Sequence, residues 1–492
     1  MIGTCRRLSE KGRARGEVLI ACGGVGEGVG MTPLLWGLTI YILVQLGIGL
    51  FMVRKVHDEQ DYLIAGRSVG LAMGVFSVFA TWFGAESCVS ASGKVYASGL
   101  AGATVDPLGY GVCLVLMGLV FAVPLWKRRF LTVADLFRQR FSVGVERFAV
   151  LLMVPTSLFW AAAQMRAFGQ VFDAASDMGV GRGVLLGAVV AIVYTASGGL
   201  RADVVTDLFQ GAVIIVGLVV VTWFAVGESG GWVEAFRRVE PERLRLWETG
   251  TGVWQVVEAW AVPICGSVVA QELISRVISA GSPEVARRAS LVGGGLYVAV
   301  GLMPVVVGML AFRLLPGLEE PEQVLPLMAK RYLNGVWEVI FLGGLVSAIL
   351  STVDSTLLAA AALVSHNVIL PLRGATSERA KVNLARGCVV AGGVVSAVLA
   401  LQSESIHGLV QSASSFGSSG IFVVVVFGLF SRFGGAVSAH LALAAGAFVW
   451  IFGTWIVPFS GVYLTSLFAA VVAYVASDRI VAWVGMRKVV SD

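Results

Sequence analysis

The chain has 492 residues, of which 57% are hydrophobic and only 14% are charged, and its mean hydropathy is +0.85. Soluble globular proteins carry roughly 45–50% apolar and about 25% charged residues, so the composition excludes a water-soluble protein and indicates an integral membrane protein. The net charge of +5 comes without a basic tract interleaved with aromatic residues, which excludes nucleic acid as a partner.

Apolar windows long enough to cross a bilayer follow one another along nearly the whole chain. A span needs about 20 apolar residues, and this criterion predicts an all-α, multi-pass membrane domain over residues 31–492 with about thirteen transmembrane helices. In chain order the predicted spans cover roughly residues 32–53, 69–99, 105–126, 146–176, 182–197, 203–228, 253–276, 289–315, 336–364, 382–402, 406–430, 434–456 and 462–481.

Lysine and arginine are concentrated in the loops of one side, which on this assignment hold Lys127, Arg128, Arg129 and Arg276. By the positive-inside rule that side is cytoplasmic. We therefore expect a plasma membrane protein, in a bacterium an inner membrane protein, with its amino terminus outside and its carboxyl terminus in the cytoplasm. Residues 1–30 break the rule and include a glycine-rich run, so we expect them either to be disordered or to precede a true start at Met31.

Polar residues inside two of these apolar windows are functional candidates, because burying them costs a few kcal/mol. Residues 80–87 read Ala-Thr-Trp-Phe-Gly-Ala-Glu-Ser, and Gly84 in mid-span lets the helix unwind and release carbonyls for a cation. A small-residue packing face is the alternative. Residues 348–355 place Ser351, Asp354 and Ser355 on one side of a helix, and such oxygens suit a hard cation.

A third cluster lies where two predicted spans meet. A Gly-Gly turn at residues 198–199 joins them, and Asp207 and Gln210 begin the second span. An aspartate near a helix N-terminus can equally be a cap or a partner of the helix dipole, so this cluster alone leaves both interpretations open.

Three phrases of the sequence resemble the sodium/solute symporter family, which includes sodium-coupled proline, glucose, pantothenate and sialic acid carriers. They are Asp-Tyr-Leu-Ile-Ala-Gly-Arg-Ser at 61–68, Tyr-Thr-x-x-Gly-Gly-Leu-x-Ala-x-x-x-Thr-Asp-x-x-Gln at 194–210 and Ala-x-x-Ser-Thr-x-Asp-Ser-x-Leu at 348–357. The resemblance implies a leucine-transporter-type fold, two five-helix repeats of inverted topology with flanking helices. The repeats would cover about residues 69–228 and 253–430, with unwound helices near Gly84 and near Pro263 and Gly266.

The resemblance also implies where sodium binds. Its main site would use backbone carbonyls from one unwound helix and both carbonyl and hydroxyl oxygens from a later helix, namely Ala80, Phe83, Ala348, Ser351 and Thr352. A possible second sodium site, found in some members, would combine Ser351 with Asp207, Asp354 and Ser355.

The solute is expected in a cavity at the membrane midplane, where a few polar groups stand among aromatic rings, as is typical of small-molecule pockets. The candidates are Trp82, Glu86, Ser87, Ser90, Trp160, Gln164, Arg166, Trp260, Gln271, Gln411 and Phe416. Trp82 and Glu86 stand where the proline carriers have an acid and a tryptophan, so the solute stays open among sugars, amino acids and carboxylates.

The sequence therefore predicts a sodium-coupled secondary active symporter that imports a small organic solute by alternating access. An enzyme is disfavoured because the four histidines are scattered. A proton-coupled carrier of the same fold is the nearest alternative, since Glu86, Asp207 or Asp354 could titrate. A transporter-like sensor is a further alternative, although we expect no histidine kinase domain in this chain.

Overall fold

A computed structural model describes residues 33–176, 178–248, 250–374, 377–403 and 405–491, so the predicted extension at 1–30 lies outside the described residues. All regular elements of the described part are helices. The principal ones are α1 (Pro33–Met52), α2 (Leu71–Trp82), α3 (Glu86–Lys127), α4 (Val133–Arg140), α5 (Val143–Ser176), α6 (Val180–Glu228), α7 (Val253–Gly266), α8 (Gln271–Ser279), α9 (Pro283–Leu314), α10 (Val324–Tyr332), α11 (Val336–Arg373), α12 (Glu378–Gln402), α13 (Ile406–Ser415), α14 (Ser418–Phe430), α15 (Ala436–Ile456) and α16 (Val462–Ser491).

The multi-pass prediction is confirmed. Within the described ranges, eight helical segments are long and apolar enough to cross a membrane when α13 and α14 are counted together, or nine if the bent pair α7 and α8 forms one span. Two of the eight, α3 and α6, each cover more than one predicted window, since the chain is helical on both sides of a local interruption. The non-helical residue is Asp106 in α3 and Gly199 in α6. The count of thirteen spans and the inverted five-helix repeats stay predictions.

Both predicted helix breaks are present. α2 ends at Trp82 and α3 begins at Glu86, with Gly84 between them. α7 ends at Gly266, and α8 starts at Gln271 with its axis turned by 47°. Glycine and proline weaken a helix at these places, since glycine adds backbone freedom and proline removes a hydrogen-bond donor.

A further glycine explains the Gly-Gly turn in the middle of α6. Gly199 has φ 58° and ψ −162°, a conformation that is essentially reserved for glycine. The ring of Tyr62 lies against Gly199, and the Tyr62 hydroxyl donates a hydrogen bond to the Thr195 carbonyl at 3.0 Å. The segments 61–68 and 194–210, which carry two of the three family phrases, therefore pack against each other.

α11 lies at the centre of the domain, where it packs along α5 and α6 and also touches α2 and α8. Its buried side chains belong to one continuous hydrophobic cluster that runs through most of the described helices. On the outside, apolar side chains such as Leu151, Trp223 and Phe468 are 67–72% exposed, as suits surfaces that face lipid. This packing places the segment 348–355 in the interior, opposite the break between α2 and α3.

Candidate functional site

The break between α2 and α3 releases a backbone carbonyl toward α11. In a continuous helix the Gly84 N–H would bond to the Ala80 carbonyl, but here it donates to the Trp82 carbonyl at 3.0 Å. The Thr352 hydroxyl instead lies 3.4 Å from the Ala80 oxygen and 3.1 Å from the Ala348 oxygen. Three of the five residues predicted to hold sodium thus meet across two helices.

The other two predicted sodium ligands lie beside this group. The Ser351 hydroxyl donates to the Asp207 carboxylate at 2.5 Å, and that carboxylate also accepts from Ser77 at 2.6 Å. Phe83 forms part of the turn, and its ring packs edge-on against Tyr297. A set of carbonyl and hydroxyl oxygens is chemically suited to a hard cation, and its assignment to sodium stays a prediction.

A buried guanidinium occupies the neighbourhood of the predicted second sodium site. Arg276 is 3% exposed, and its Nη2 lies 2.5 Å from Asp203 and 3.7 Å from Asp207. The same nitrogen donates to the Ser355 hydroxyl, and Nε donates to Thr81 at 2.7 Å. The placement of Arg276 in a cytoplasmic loop was wrong, because α8 continues past it to Ser279 and carries it into the core.

Asp354 points away from this cluster. One of its carboxylate oxygens accepts a hydrogen bond from the Thr195 hydroxyl at 2.6 Å, and the other has no partner. The structure therefore brings Asp207 to Ser351, and Ser355 to Asp203 and Arg276, but it does not gather Asp207, Asp354 and Ser355 around one point.

A cavity with a volume of about 800 Å³ lies beside the break. Two residues predicted to bind the solute, Glu86 and Gln411, line it together with Tyr110, Glu258 and Trp450. The Glu258 carboxylate accepts hydrogen bonds from the backbone N–H groups of two residues at the start of α16. One oxygen of the Glu86 carboxylate is buried without a hydrogen-bond partner, which leaves it available to a bound molecule.

Three aromatic rings pack together beside this cavity, and one of them, Tyr110, lines it. Trp82 stacks on Tyr110 with ring centroids 5.5 Å apart, and Trp160 meets both rings edge-on at 5.0 and 5.8 Å. Trp82 and Trp160 were predicted to line the solute site, but neither is among the lining residues of this cavity. Tyr110 does line it and was missed, because it lies inside an unbroken apolar window. The Tyr110 hydroxyl bonds to Ser414 at 3.0 Å and so joins α3 to α13.

A second carboxylate that sequence reasoning missed lies close to Glu86. Asp106 is 3% exposed and accepts a hydrogen bond from Ser87 at 2.8 Å, while Ser87 also lies 2.9 Å from the Tyr297 hydroxyl. The other oxygen of Asp106 has no partner. An aspartate directly before a proline at the start of an apolar span was the signal that could have found it.

The remaining predicted solute residues fall into separate places. Gln164 accepts the Ala85 N–H at 2.7 Å, and the Phe416 ring packs edge-on against Trp450 of the main cavity. None of these six residues lines the main cavity. Ser90 and Arg166 line an adjoining cavity of about 460 Å³, Trp260 lines a third cavity of about 240 Å³, and Gln271 accepts the Val133 N–H at 2.8 Å.

Two interrupted membrane helices, with carbonyl and hydroxyl oxygens gathered at one break and a polar and aromatic cavity beside it, define a class of protein, the membrane transporters with unwound helices. The chain belongs to the sodium:solute symporter family, whose sequence model matches residues 62–446.

Its relatives are transporters. High-affinity choline transporter 1 of Drosophila melanogaster is 29% identical over 399 residues, which are 76% of this chain and 62% of that protein, so the chain spans less than two thirds of it. The human high affinity choline transporter 1 is 27% identical, covering 85% of this chain and 76% of its own length. High-affinity proline transporter PutP of Bacillus subtilis is 26% identical, covering 82% of this chain and 89% of its own length.

Solved transporter structures share the fold. A Na+-coupled sialic acid symporter in a substrate-bound outward-open state aligns with a TM-score of 0.81 at 16% identity, covering 91% of this chain and 98% of its own. Mhp1, a nucleobase-cation-symport-1 family transporter, aligns with a TM-score of 0.62 at 15% identity, covering 86% of this chain and 95% of its own.

Proposed function

We propose that the protein is a sodium-coupled symporter that imports a small organic solute across a plasma membrane by alternating access. The observation that carries the proposal is the Ala80 carbonyl, which is released at the helix break and lies 3.4 Å from the Thr352 hydroxyl of another helix. A sodium ion held by Ala80, Phe83, Ala348, Ser351 and Thr352 would connect α2 to α11. Oxygen atoms of these types are the ligands that hard cations prefer.

An ion that connects two helices binds only those conformations in which the helices lie close together. Sodium therefore favours one state of the transport cycle over the other, and this difference in affinity is what couples ion movement to solute movement. The membrane potential adds about 2.3 kcal/mol per charge for each 100 mV. Import is the expected direction, because the membrane potential draws the positively charged sodium ion into the cell.

Among small organic solutes, the cavity favours one that carries an ammonium group. Aromatic faces attract organic cations, and Tyr110 of the aromatic trio lines the cavity together with Glu86. The buried, unpartnered oxygen of Glu86 would pair with the positive charge of such a solute. The choline transporters among the relatives support a quaternary or substituted ammonium ion as the solute of this chain.

A thermal-shift panel in detergent tests the solute class. It would compare choline, betaine, proline, glucose and lactate, each in sodium and in potassium buffer. We expect the melting temperature to rise with ammonium compounds in sodium, and the rise to disappear in a Glu86→Gln variant because the paired charge is lost. A rise caused only by glucose or lactate would refute the ammonium assignment and leave sodium symport intact.

The sodium ligands are tested by the double variant Ser351→Ala with Thr352→Ala. We expect the sodium concentration for half-maximal stabilisation to rise by about tenfold or more, since two ligand oxygens are lost. Thr356→Ala is the matched control, because its hydroxyl bonds only to carbonyls of its own helix, at 2.9 Å. An unchanged sodium dependence in the double variant would contradict the assignment.

A further inference from the structure

A cluster of basic side chains at the end of α3 has no role in the proposed function. Lys127, Arg128 and Arg129 follow directly on the apolar part of this helix, and all three are exposed. None of the ion pairs that join described residues includes any of them. Charges of one sign without acidic partners create a local potential that attracts anions.

A fourth basic residue, Arg67, extends this cluster from the loop before α2. Its Nη2 donates a hydrogen bond to the Phe130 carbonyl at 2.7 Å, which fixes the guanidinium beside the end of α3. Its Nη1 is buried and has no hydrogen-bond partner. Burial, and next the charge of Arg129, lower the pKa of the Arg67 guanidinium. A buried donor without a partner, close to a second cation, is suited to receive an anion.

Hydrogen bonds between three segments hold this corner of the protein in place. The Val69 N–H donates to the Ser279 carbonyl at 3.1 Å, and the Gly281 N–H donates to the Val69 carbonyl at 2.9 Å. The indole N–H of Trp126 donates to the Ala280 carbonyl at 2.7 Å. The loop before α2 and the end of α3 are therefore both fixed to the chain that leads into α9.

Two residues of the cluster have left-handed backbones. The φ angle is 54° at Arg67 and 58° at Arg129, a conformation that is unfavourable for residues with a Cβ atom. The Arg129 guanidinium also lies over the Trp126 ring, 5.1 Å from its centroid. Strained backbones are concentrated at functional sites, which favours a binding role for this corner.

An exposed apolar surface leads from the membrane interior to the same corner. Leu119 on α3 is 59% exposed, and Val292 on α9 is 55% exposed. The two helices touch at this depth, since a Cβ atom at Gly118 would lie 2.7 Å from the Leu291 side chain. Arg287, near the start of α9, is exposed as well. Both helices thus carry an apolar outer face that ends in basic residues at one edge of the membrane.

The possible ligands differ in how much of this surface they suit. A free phosphate ion would meet the positive charges and leave the apolar face uncovered. A zwitterionic phospholipid would cover the apolar face, but it would bring its own ammonium group to the arginines. An anionic phospholipid suits both parts, because basic clusters at the end of a membrane span attract its headgroup.

We propose that this corner binds an anionic phospholipid, with its headgroup between Arg67 and the basic run at 127–129. Its acyl chains would lie on the outer face of α3 and α9, beside Leu119 and Val292. The site is separate from the solute cavity and from the proposed sodium ligands, so it does not depend on what the protein transports.

Native mass spectrometry of the purified full-length protein in detergent tests the proposal. The protein is titrated with phosphatidylglycerol or with phosphatidylcholine of the same acyl chains, and we expect phosphatidylglycerol to bind at least about tenfold more tightly. The triple variant Lys127→Gln, Arg128→Gln and Arg129→Gln should lose this preference. It should still fold, because the three side chains are exposed.

The control triple variant is Arg182→Gln, Arg237→Gln and Lys330→Gln, which removes the same charge from exposed positions elsewhere and should keep the preference. Glycerol phosphate, which has the headgroup phosphate but no acyl chains, should bind far more weakly than the lipid. Equal affinities of the wild type for the two lipids, or an equal loss in both triple variants, would overturn the proposal. Glycerol phosphate that binds as tightly as the lipid would overturn it in favour of a free phosphate site.

Discussion

Arg276 carries its positive charge in the interior of the membrane domain and connects three other helices. Its partners are Asp203 and Asp207 on α6, Thr81 on α2 and Ser355 on α11. Replacing both members of such a pair with apolar residues can be harmless, but removing one partner leaves a bare charge in the core. The arginine therefore holds α8 against the other three helices.

We expect Arg276→Gln to lower the free energy of unfolding by about 3–5 kcal/mol, because Asp203 and Asp207 then lose their cation. The double variant Arg276→Gln with Asp203→Asn should recover part of this loss, since one uncompensated charge is removed. Thermal unfolding in detergent, followed by tryptophan fluorescence, measures both. Equal stability of Arg276→Gln and the wild type would contradict this role.

Gly84 lies against Thr352, a residue of the proposed sodium site. A Cβ atom at this position would lie 2.6 Å from both Thr352 Oγ1 and Gln164 Oε1, well inside van der Waals contact. We expect Gly84→Ala to insert into the membrane but to lose sodium-dependent stabilisation, measured by thermal shift in sodium and in potassium.

Gly343→Ala is the control for that experiment. Gly343 lies on α11, the helix that carries Thr352, and a Cβ atom there would meet nothing within 4 Å. Its sodium dependence should equal that of the wild type. A Gly84→Ala protein with undiminished sodium stabilisation would show that the break holds no ion.

At the scale of the helices, Gly199 is what allows α6 to fold as two segments. We expect Gly199→Ala to destabilise the protein by about 1–3 kcal/mol, since its φ and ψ are unfavourable for any residue with a Cβ. The added methyl would also press on the Tyr62 ring and backbone.

Gly227→Ala in the same helix is the comparison, because its Cβ would have open space. It should be neutral or slightly stabilising, since alanine is the better helix former by about 1 kcal/mol. Chemical or thermal unfolding of the two variants side by side measures the difference. A similar effect of both substitutions would argue against a special conformation at Gly199.

The short helix α4 lies outside the membrane spans and depends on one carboxylate. Asp135 accepts the N–H groups of Leu131 and Thr132 at 2.9 and 3.2 Å, and His366 lies 3.5 Å away. Burial alone would raise the pKa of Asp135, but the hydrogen bond and charge of His366 and these backbone N–H groups hold the pKa below its ordinary value. A carboxyl with a lowered pKa stabilises the fold above its unfolded pKa, and this is lost as pH falls through the folded pKa.

We therefore expect Asp135→Asn to be less stable than the wild type by about 1–2 kcal/mol near neutral pH. The difference should narrow as the pH falls below about 4, the ordinary range of an aspartate. Melting temperatures of both proteins across this pH range provide the check. A gap that stays constant with pH would mean that the charge of Asp135 does not contribute.

Local features of the sequence predicted the helices and their breaks, because glycine, proline and apolar windows act within a few residues. Gly84 and Gly266 both stand where a helix ends. The interruption at Phe416 and Gly417, between α13 and α14, was not predicted, since residues 406–430 form one apolar window.

The contacts of the candidate site were harder to predict, because they join residues far apart in the chain. Arg276 pairs with Asp203, 73 residues earlier, and no periodicity reports such a pair. Two further polar residues were missed because each stands alone in an apolar window, where the sequence does not show which residues it contacts. They are Asp106 and Tyr297. Thr352, which the family resemblance indicates as a sodium ligand, lies beside Ala80, whereas Gln271, a predicted solute residue, lies against the start of α4.

At the scale of the whole molecule, the proposal is that sodium binding is coupled to a conformational change. α2 and α11 touch each other and both touch α6, and the proposed sodium ion would lie between the first two. If the ion stabilises their contact, then sodium favours one conformation of the domain, and the proposed symport requires that a solute bound beside Glu86 favours the same conformation. The coupling is a property of the assembled helices rather than of any single residue.

The most direct test of this claim is uptake of the solute identified by the thermal-shift panel into proteoliposomes with an inward sodium gradient. We expect accumulation that disappears when potassium replaces sodium and that does not require a pH gradient. Uptake that persists unchanged in potassium, or that follows the pH gradient alone, would contradict it.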